Sequence, residues 1–427
     1  MNTTELMKYI KNGNADSAFC EIYGKAEISN MRTRYITAVE EFISLYSQER
    51  EVSAFSVPGR TEVAGNHTDH NNGCVIAASV NLDIIAIASK RNDSIINVKS
   101  EGFVADSVSL DEYKMPNPKK FSTSESIIAG VCCGFAKNGF TTGGFDAYTT
   151  SNVLKGSGLS SSAAYENMIG NIENHFYNNG QIDNVEIAKI SQYAENVFFG
   201  KPCGLMDQIA CAVGGIVAID FKNPSAPVIE KINFDFNSVN YNLCIVDTGG
   251  NHADLTPDYA AVPAEMKAVA AFFGKNCLRE LEEETIQNNI PALRRAVGDR
   301  AILRALHFYG ENKRVSLSKT ALINRNLDEF FKLIIESGRS SFCYLQNVYT
   351  TKNVNEQGLS LALCIAENFL KDKNAAFRVH GGGFAGTIAA FIPTDYVAQY
   401  RKIMDKTFGE DACIVLRIRN RGAIKII

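Results

Sequence analysis

The densest group of chemically capable residues is Gly156-Ser157-Gly158-Leu159-Ser160-Ser161-Ser162-Ala163-Ala164, which follows a strand-like run and opens a helical stretch containing Met168 and Ile169. Glycines let the backbone approach a ligand with no Cβ in the way. Serines suit a helix start, where free N–H groups and a partial positive charge favour an anion such as a phosphate chain. The segment is not a Walker loop, because no Gly-Lys-Ser/Thr occurs, and serines stand where the last glycine of G-x-G-x-x-G would fall. Taken alone it reads equally well as a glycine turn with a serine cap.

A second cluster is Pro58-Gly59-Arg60-Thr61-Glu62-Val63-Ala64-Gly65-Asn66-His67-Thr68-Asp69-His70. Asn, His and Asp side chains together suit a polyol, since every hydroxyl both donates and accepts and a buried polar group left unpaired costs ~1–3 kcal/mol. His67 and His70, at i and i+3, also permit a metal pair, but no third ligand stands near them in sequence. Two more segments complete the set: Ala194-Glu195-Asn196 followed by Gly200-Lys201-Pro202-Cys203-Gly204-Leu205-Met206-Asp207-Gln208, and Val379-His380-Gly381-Gly382-Gly383-Phe384-Ala385-Gly386. The last could pass for a dinucleotide loop, but it lacks a strand–helix–strand setting with a downstream acid.

The elements that must carry these segments are mixed. Strand-like runs at Ile84–Ser89, Ile95–Val98, Tyr148–Val153, Gly215–Ile219 and Tyr241–Val246 lie among helical stretches. The polar turn Lys90–Ser94 predicts a hairpin between the first two runs. Leu327–Glu336 predicts a helix with Asn326 as cap and Gly338 just past its end. Strands and helices without strict alternation predict an α+β fold. The chain has 427 residues, enough for two domains, with a boundary expected near residues 213–225.

Composition narrows the function classes. Hydrophobic residues make up 45%, charged residues 21%, and the formal net charge is −4, which argues against a nucleic-acid partner. No apolar run approaches the ~20 residues of a membrane span, and the N-terminus lacks a signal-peptide core. Membrane partners are therefore not expected, and a cytoplasmic setting is. The 11 cysteines include no C-x-x-C pair and read as reduced thiols. Zinc is not expected, because the six histidines do not sit at ligand spacings beside cysteines.

In order and in content the four segments resemble the motifs of the GHMP kinases (galactokinase, homoserine kinase, mevalonate kinase, phosphomevalonate kinase). The Pro58–His70 segment is similar to the galactokinase form G-R-x-N-x-x-G-E-H-T-D-Y, and the Ala194–Gln208 segment to A-E-…-G-x-P-C-G-I-M-D-Q. The resemblance runs from about Phe55 to Ile388. It implies a two-domain GHMP kinase fold, divided here as residues 1–215 and 216–427, with an active-site cleft between the domains. It further implies ATP-dependent phosphorylation of the anomeric hydroxyl of galactose or a close relative. Arg60 and Asp207 match the catalytic pair. Asn66, His67, Thr68, Asp69, Gly204 and Tyr259 match sugar-binding positions. Ser100 and Gly156, Ser157, Gly158, Leu159, Ser160, Ser161 and Ser162 match the ATP site. Ser162 and Glu195 match ligands of Mg2+.

The chain departs from that pattern in several places. Asn66 stands where an acid is usual and Glu62 where an asparagine is usual, as though the two had exchanged. His70 replaces a tyrosine, His380 and Ala385 replace a threonine and a glycine, and Tyr344–Tyr349 differs from the usual E-V-S segment. The sugar therefore stays open between galactose, N-acetylgalactosamine and L-arabinose. A non-catalytic galactose and ATP sensor is a further alternative, against which the intact Ser162-Ala163-Ala164, Arg60, Glu195 and Asp207 speak.

Overall fold

β1 (Ser53–Ala64) is buried at every position, which only a strand covered on both faces allows. The computed structural model describes residues 1–47, 49–153, 158–250 and 255–427. Its larger sheet is built from β1, β2 (Cys74–Lys90), β3 (Ile95–Ser100), β4 (Asp106–Ser109), β5 (Phe145–Ser151), β6 (Ile216–Asp220) and β7 (Val228–Ile232). A smaller antiparallel sheet follows, from β8 (Tyr241–Asp247), β9 (Ala376–His380), β10 (Thr387–Pro393) and β11 (Cys413–Leu416), in the order β11-β8-β10-β9. The last strand, β12 (Ile424–Lys425), returns to the larger sheet and pairs with β1.

Alternation along β1 and β2 divides the core between two layers of helices. Ala54, Ile85 and Ile87 face Leu6, Phe19, Tyr35 and Phe42 of α1 (Thr3–Lys11), α2 (Asp16–Tyr23) and α3 (Ile28–Tyr46). Phe55, Ala86 and Ala88 face Ile128, Met168 and Ile187 of α4 (Ser124–Lys137), α5 (Ser161–Tyr177) and α6 (Asn184–Tyr193). That second core continues through Val315, Phe330 and Ile334 to Leu243 and Phe391 of the smaller sheet. The two sheets are thus joined by one apolar mass, consistent with the α+β expectation.

Three expectations are corrected. The hairpin does not form: β5 lies between β2 and β3, antiparallel to one and parallel to the other. The polar turn instead bonds to the start of β5, with Arg91 N–H to Gly144 O at 2.9 Å and Gly144 N–H to Asp93 O at 2.8 Å. The helix capped by Asn326 runs on to Ser340, so Gly338 lies inside it. A Cβ there would sit 3.0 Å from the Arg378 Cβ, so the glycine lets the helix lie flat on β9. A division at residue 215 falls before β6 and β7, yet both strands extend the larger sheet through β2.

Two carboxyl groups, Asp83 and Glu173, are buried in this core. Asp83, fully buried, accepts from Arg34 Nη1 at 2.6 Å, Tyr23 Oη at 2.5 Å and Arg419 Nη1 at 3.0 Å. Glu173, on α5, is buried and, among the described residues, its carboxyl meets the Cys132 thiol and the Gly143 N–H. Burial pushes its pKa up to about 8. A carboxyl held neutral in the fold but free to ionise when unfolded withdraws stability as pH rises from about 4.5 towards about 8. Glu173→Gln should therefore stabilise the chain by roughly 3 kcal/mol at pH 7 and by almost nothing at pH 4.5, read as the difference in urea midpoint at the two pH values.

Candidate active site

Arg60 and Asp207 meet although 147 positions separate them. The guanidinium binds the carboxylate in a fork, Nε to Oδ1 at 2.7 Å and Nη2 to Oδ2 at 2.6 Å. Arg60 is aimed there by a register irregularity between β1 and β2 that separates Pro58 from Arg60. Asp207 lies in the first turn of α7 (Met206–Val213). Burial works to raise the Asp207 pKa, but the Arg60 charge and hydrogen bonds and the Ser160 hydroxyl outweigh it and hold the carboxyl below its usual range. Its side chain keeps 30% exposure, against 8% for Arg60, so the carboxylate is the open end of the pair.

The pair is built onto the start of α5. Arg60 N–H donates to Leu159 O at 3.0 Å, and Arg60 Nη1 donates to Gly158 O. A Cβ on Gly59 would stand 2.8 Å from Leu159 O, so the close approach of β1 to this loop requires glycine. Ser160 does not act as the expected cap. It is left-handed, with φ 57°, and its hydroxyl donates to Asp207 instead. The first N–H groups of α5 consequently have no side-chain cap, the condition under which a helix start receives an anion. Leu159 points into the core, leaving only its backbone at the loop, while Ser162 is exposed and Ser161 half-buried. Gly156 and Ser157 lie outside the described residues. Ser100 ends β3 and accepts from Thr149 Oγ1 at 2.8 Å.

Glu195 sits in a wide helical turn, Ala194–Phe199, closed by left-handed Gly200. One carboxylate oxygen accepts from Lys201 Nζ at 3.0 Å and the other from Gln208 Nε2 at 2.9 Å. The same Gln208 nitrogen donates to Glu166 at 3.0 Å. The remaining Glu166 oxygen is buried without a partner. Burial, and then the Glu195 charge, hold the Glu166 pKa well above the usual range. Glu166 is one helical turn beyond Ser162, on the same face of α5. Among the described residues, no group of three or more His, Cys, Asp or Glu side chains converges in a metal-binding arrangement.

The segment Asn66–Asp69 divides in two. Asn66 is fully buried and its side chain is wholly engaged. Its amide nitrogen donates to Glu62 at 3.0 Å and Gly381 O at 2.7 Å, while its amide oxygen accepts from Asn347 at 2.9 Å and Ser341 at 3.2 Å. Thr68 is likewise buried, its hydroxyl donating to Gly65 O and Cys74 O. Neither side chain faces a cleft, which corrects the expectation for these two. His67 donates through Nε2 to Gly382 O at 2.9 Å, leaving Nδ1 a buried acceptor without a partner. Burial and the neighbouring His70 ring lower its pKa to about 4. Asp69 abuts Gly204 so closely that a Cβ there would strike its carboxylate. This contact brings the segment to within three residues of Asp207. Tyr259, in the first turn of α8 (Thr256–Phe272), donates to Gly383 O at 2.7 Å and packs edge-on against Phe384. The triple-glycine loop thus supports the sugar-type segment, while His380 ahead of it packs against Gly158.

Sequence reasoning gave no role to the layer beneath. Glu62 pairs with Arg378, and both are buried. Glu311 receives Gly65 N–H, Ser337 and Arg314 and lies 3.9 Å from Arg378. His307 donates to Asn66 O at 3.0 Å. Burial and the charges of Arg60 and Arg378 lower the His380 pKa to about 3, so it stands neutral between two arginines, accepting from Glu62 N–H and donating to Thr387. The exchange of Glu62 and Asn66 and the histidine at position 380 were the visible signals.

Residues 126–215 match the GHMP kinases N terminal domain, and residues 40–90 match the galactokinase galactose-binding signature. Galactokinase from Clostridium tetani (strain Massachusetts / E88) is 29% identical over 382 residues, 87% of this chain and 91% of the relative. Galactokinase from Streptomyces coelicolor is 29% identical, covering 87% and 92%. Among solved structures, Lactococcus lactis galactokinase complexed with galactose superposes with a TM-score of 0.78 at 23% identity, over 92% of this chain and all of that one. Methanococcus jannaschii mevalonate kinase gives 0.61 at 18% identity, over 87% and 99%. The chain has the fold of these kinases, and its residues 126–215 are similar to their N-terminal domain. Residues 40–90 are similar in particular to the galactokinase signature, and the curated relatives named above are galactokinases.

Proposed function

We propose that this chain is a galactokinase, an ATP-dependent sugar kinase that transfers the γ-phosphate of ATP to the C1 hydroxyl of D-galactose. The observation that carries the reading is the Arg60–Asp207 fork seated against the uncapped start of α5. Asp207, kept ionised, orients the C1 hydroxyl and accepts its proton as the bond to phosphorus forms. Arg60 stabilises the charge that spreads over the transferred group. The loop Gly156–Ser162 cradles the phosphates and Ser100 lines the nucleoside side. His67 Nδ1 accepts one sugar hydroxyl and Asp69 another, with Gly204 and Tyr259 shaping the wall. Asn66 and Thr68 hold this segment in place from beneath.

Mg2+ fits the donor set. Glu195 and Ser162 offer hard oxygens, and the buried Glu166 oxygen without a partner adds a third electron-rich atom beside them. Bound there by Ser162 and Glu195, the ion would neutralise phosphate charge. The eleven free cysteines support a reducing, cytoplasmic setting. No helix among the described residues is long and apolar enough to cross a membrane.

An ADP-release assay with Mg·ATP over galactose, N-acetylgalactosamine, L-arabinose and glucose tests the proposal. Turnover on galactose is expected. Turnover on arabinose but not galactose would overturn the substrate, and binding of both ligands without ADP release would leave a sensor. Gly204→Ala should raise the KM for galactose about tenfold or more, because its methyl displaces Asp69. An unchanged KM would remove Asp69 from the sugar site.

A further inference from the structure

Lys201 has no part in the roles assigned above, yet its ammonium lies 3.0 Å from the Glu195 carboxylate. Glu195 is 3% exposed, and the lysine side chain that reaches it is 61% exposed, so the ammonium closes the site from the solvent side. Its own N–H also donates to Glu195 O at 3.1 Å, which ties its backbone to the turn its side chain neutralises. Behind Glu195 lie Gln208 and Glu166, each with a buried oxygen lacking a partner. Asp207 is already committed to Arg60. The cluster is therefore rich in oxygen acceptors, and Lys201 is the cation in hydrogen-bond contact with Glu195.

We propose that Lys201 is the resident counter-ion of this site: it neutralises Glu195 until a divalent cation arrives and is displaced outward by it. The inference rests on Glu195 being the metal ligand of the proposed function. A buried carboxylate left bare is costly, so the site needs a cation in both states. Lysine suits the temporary part, because its ammonium is a point charge on a flexible stem and can leave without rebuilding the turn. The affinity for the divalent ion is then set by competition between two cations, and removing the lysine strengthens ion binding.

Electron paramagnetic resonance of Mn2+ titrated into the full chain without nucleotide reads this directly. Lys201→Met should bind Mn2+ about tenfold or more tightly than the parent chain, Lys201→Arg should stay near the parent value, and Glu195→Gln should lose binding. A loss of packing alone would not tighten metal binding. Equal or weaker binding by Lys201→Met, or no Mn2+ binding by either chain, overturns the proposal. If Lys201→Met matches the parent while Glu195→Gln loses the ion, only the lysine's role fails. If Glu195→Gln binds as the parent does, the reading of Glu195 as ligand fails with it.

Discussion

Asp207→Asn should lower kcat for galactose phosphorylation by about 10³-fold while leaving the thermal midpoint within a few degrees of the parent value. Asparagine keeps one acceptor for Arg60 and one group for the Ser160 hydroxyl, so the local hydrogen bonds survive in part. What disappears is the negative charge that orients the C1 hydroxyl and takes its proton. Alanine is the poorer test, because it leaves the nearly buried Arg60 without a counter-charge and mixes a folding defect into the rate. Initial-rate kinetics with a thermal melt on the same sample separate the two effects. A loss below tenfold would remove Asp207 from the reaction and with it the proposed mechanism.

The second large effect is expected in stability. Arg378 is 1% exposed, pairs with Glu62 and lies 3.9 Å from Glu311. It also donates to Val379 O at 2.9 Å and Val63 O at 3.3 Å, so it joins β9 of the smaller sheet to β1 of the larger. Arg378→Met leaves Glu62 with no cation in contact and deprives Glu311 of a neighbour. Breaking a buried ion pair from one side costs about 3–5 kcal/mol. Adding Glu62→Gln should return part of that loss, since the neutral amide can still accept from Asn66. Urea unfolding of the two single variants and the double variant measures the coupling. Strict additivity would mean that the pair contributes nothing as a pair.

Part of the arrangement was legible in the sequence: Arg60, Asp207 and the Gly-Ser run, read there as one group, do come together. Glycine must stand where β1 touches the loop ahead of α5, and the Gly-Ser run opens that helix. The α+β class was legible from element types alone. Pairing was less so. The Lys90–Ser94 turn has hairpin composition, but a strand that arrives fifty residues later takes the place beside β2, and no local signal announces it. Side-chain direction was equally hidden. Asn66 and His67 are neighbours in one motif, yet one is consumed by Gly381, Glu62, Asn347 and Ser341 while the other keeps a buried acceptor free. That difference comes from partners about 280 and 315 positions away in the chain, beyond any local pattern.

Arg419 closes the Asp83 cluster from the far end of the chain, 336 positions away, and both side chains are fully buried. Nascent chains fold from the N-terminus as they leave the ribosome. Here the first layer waits: Arg34 and Tyr23 can reach Asp83 early, but the second guanidinium is made 336 residues after it. Until then the edge of β1 that β12 will occupy is also open to strangers. Vectorial synthesis therefore makes the sealing of this cluster late, and the interval before it is when a chaperone holding that edge would be of most use.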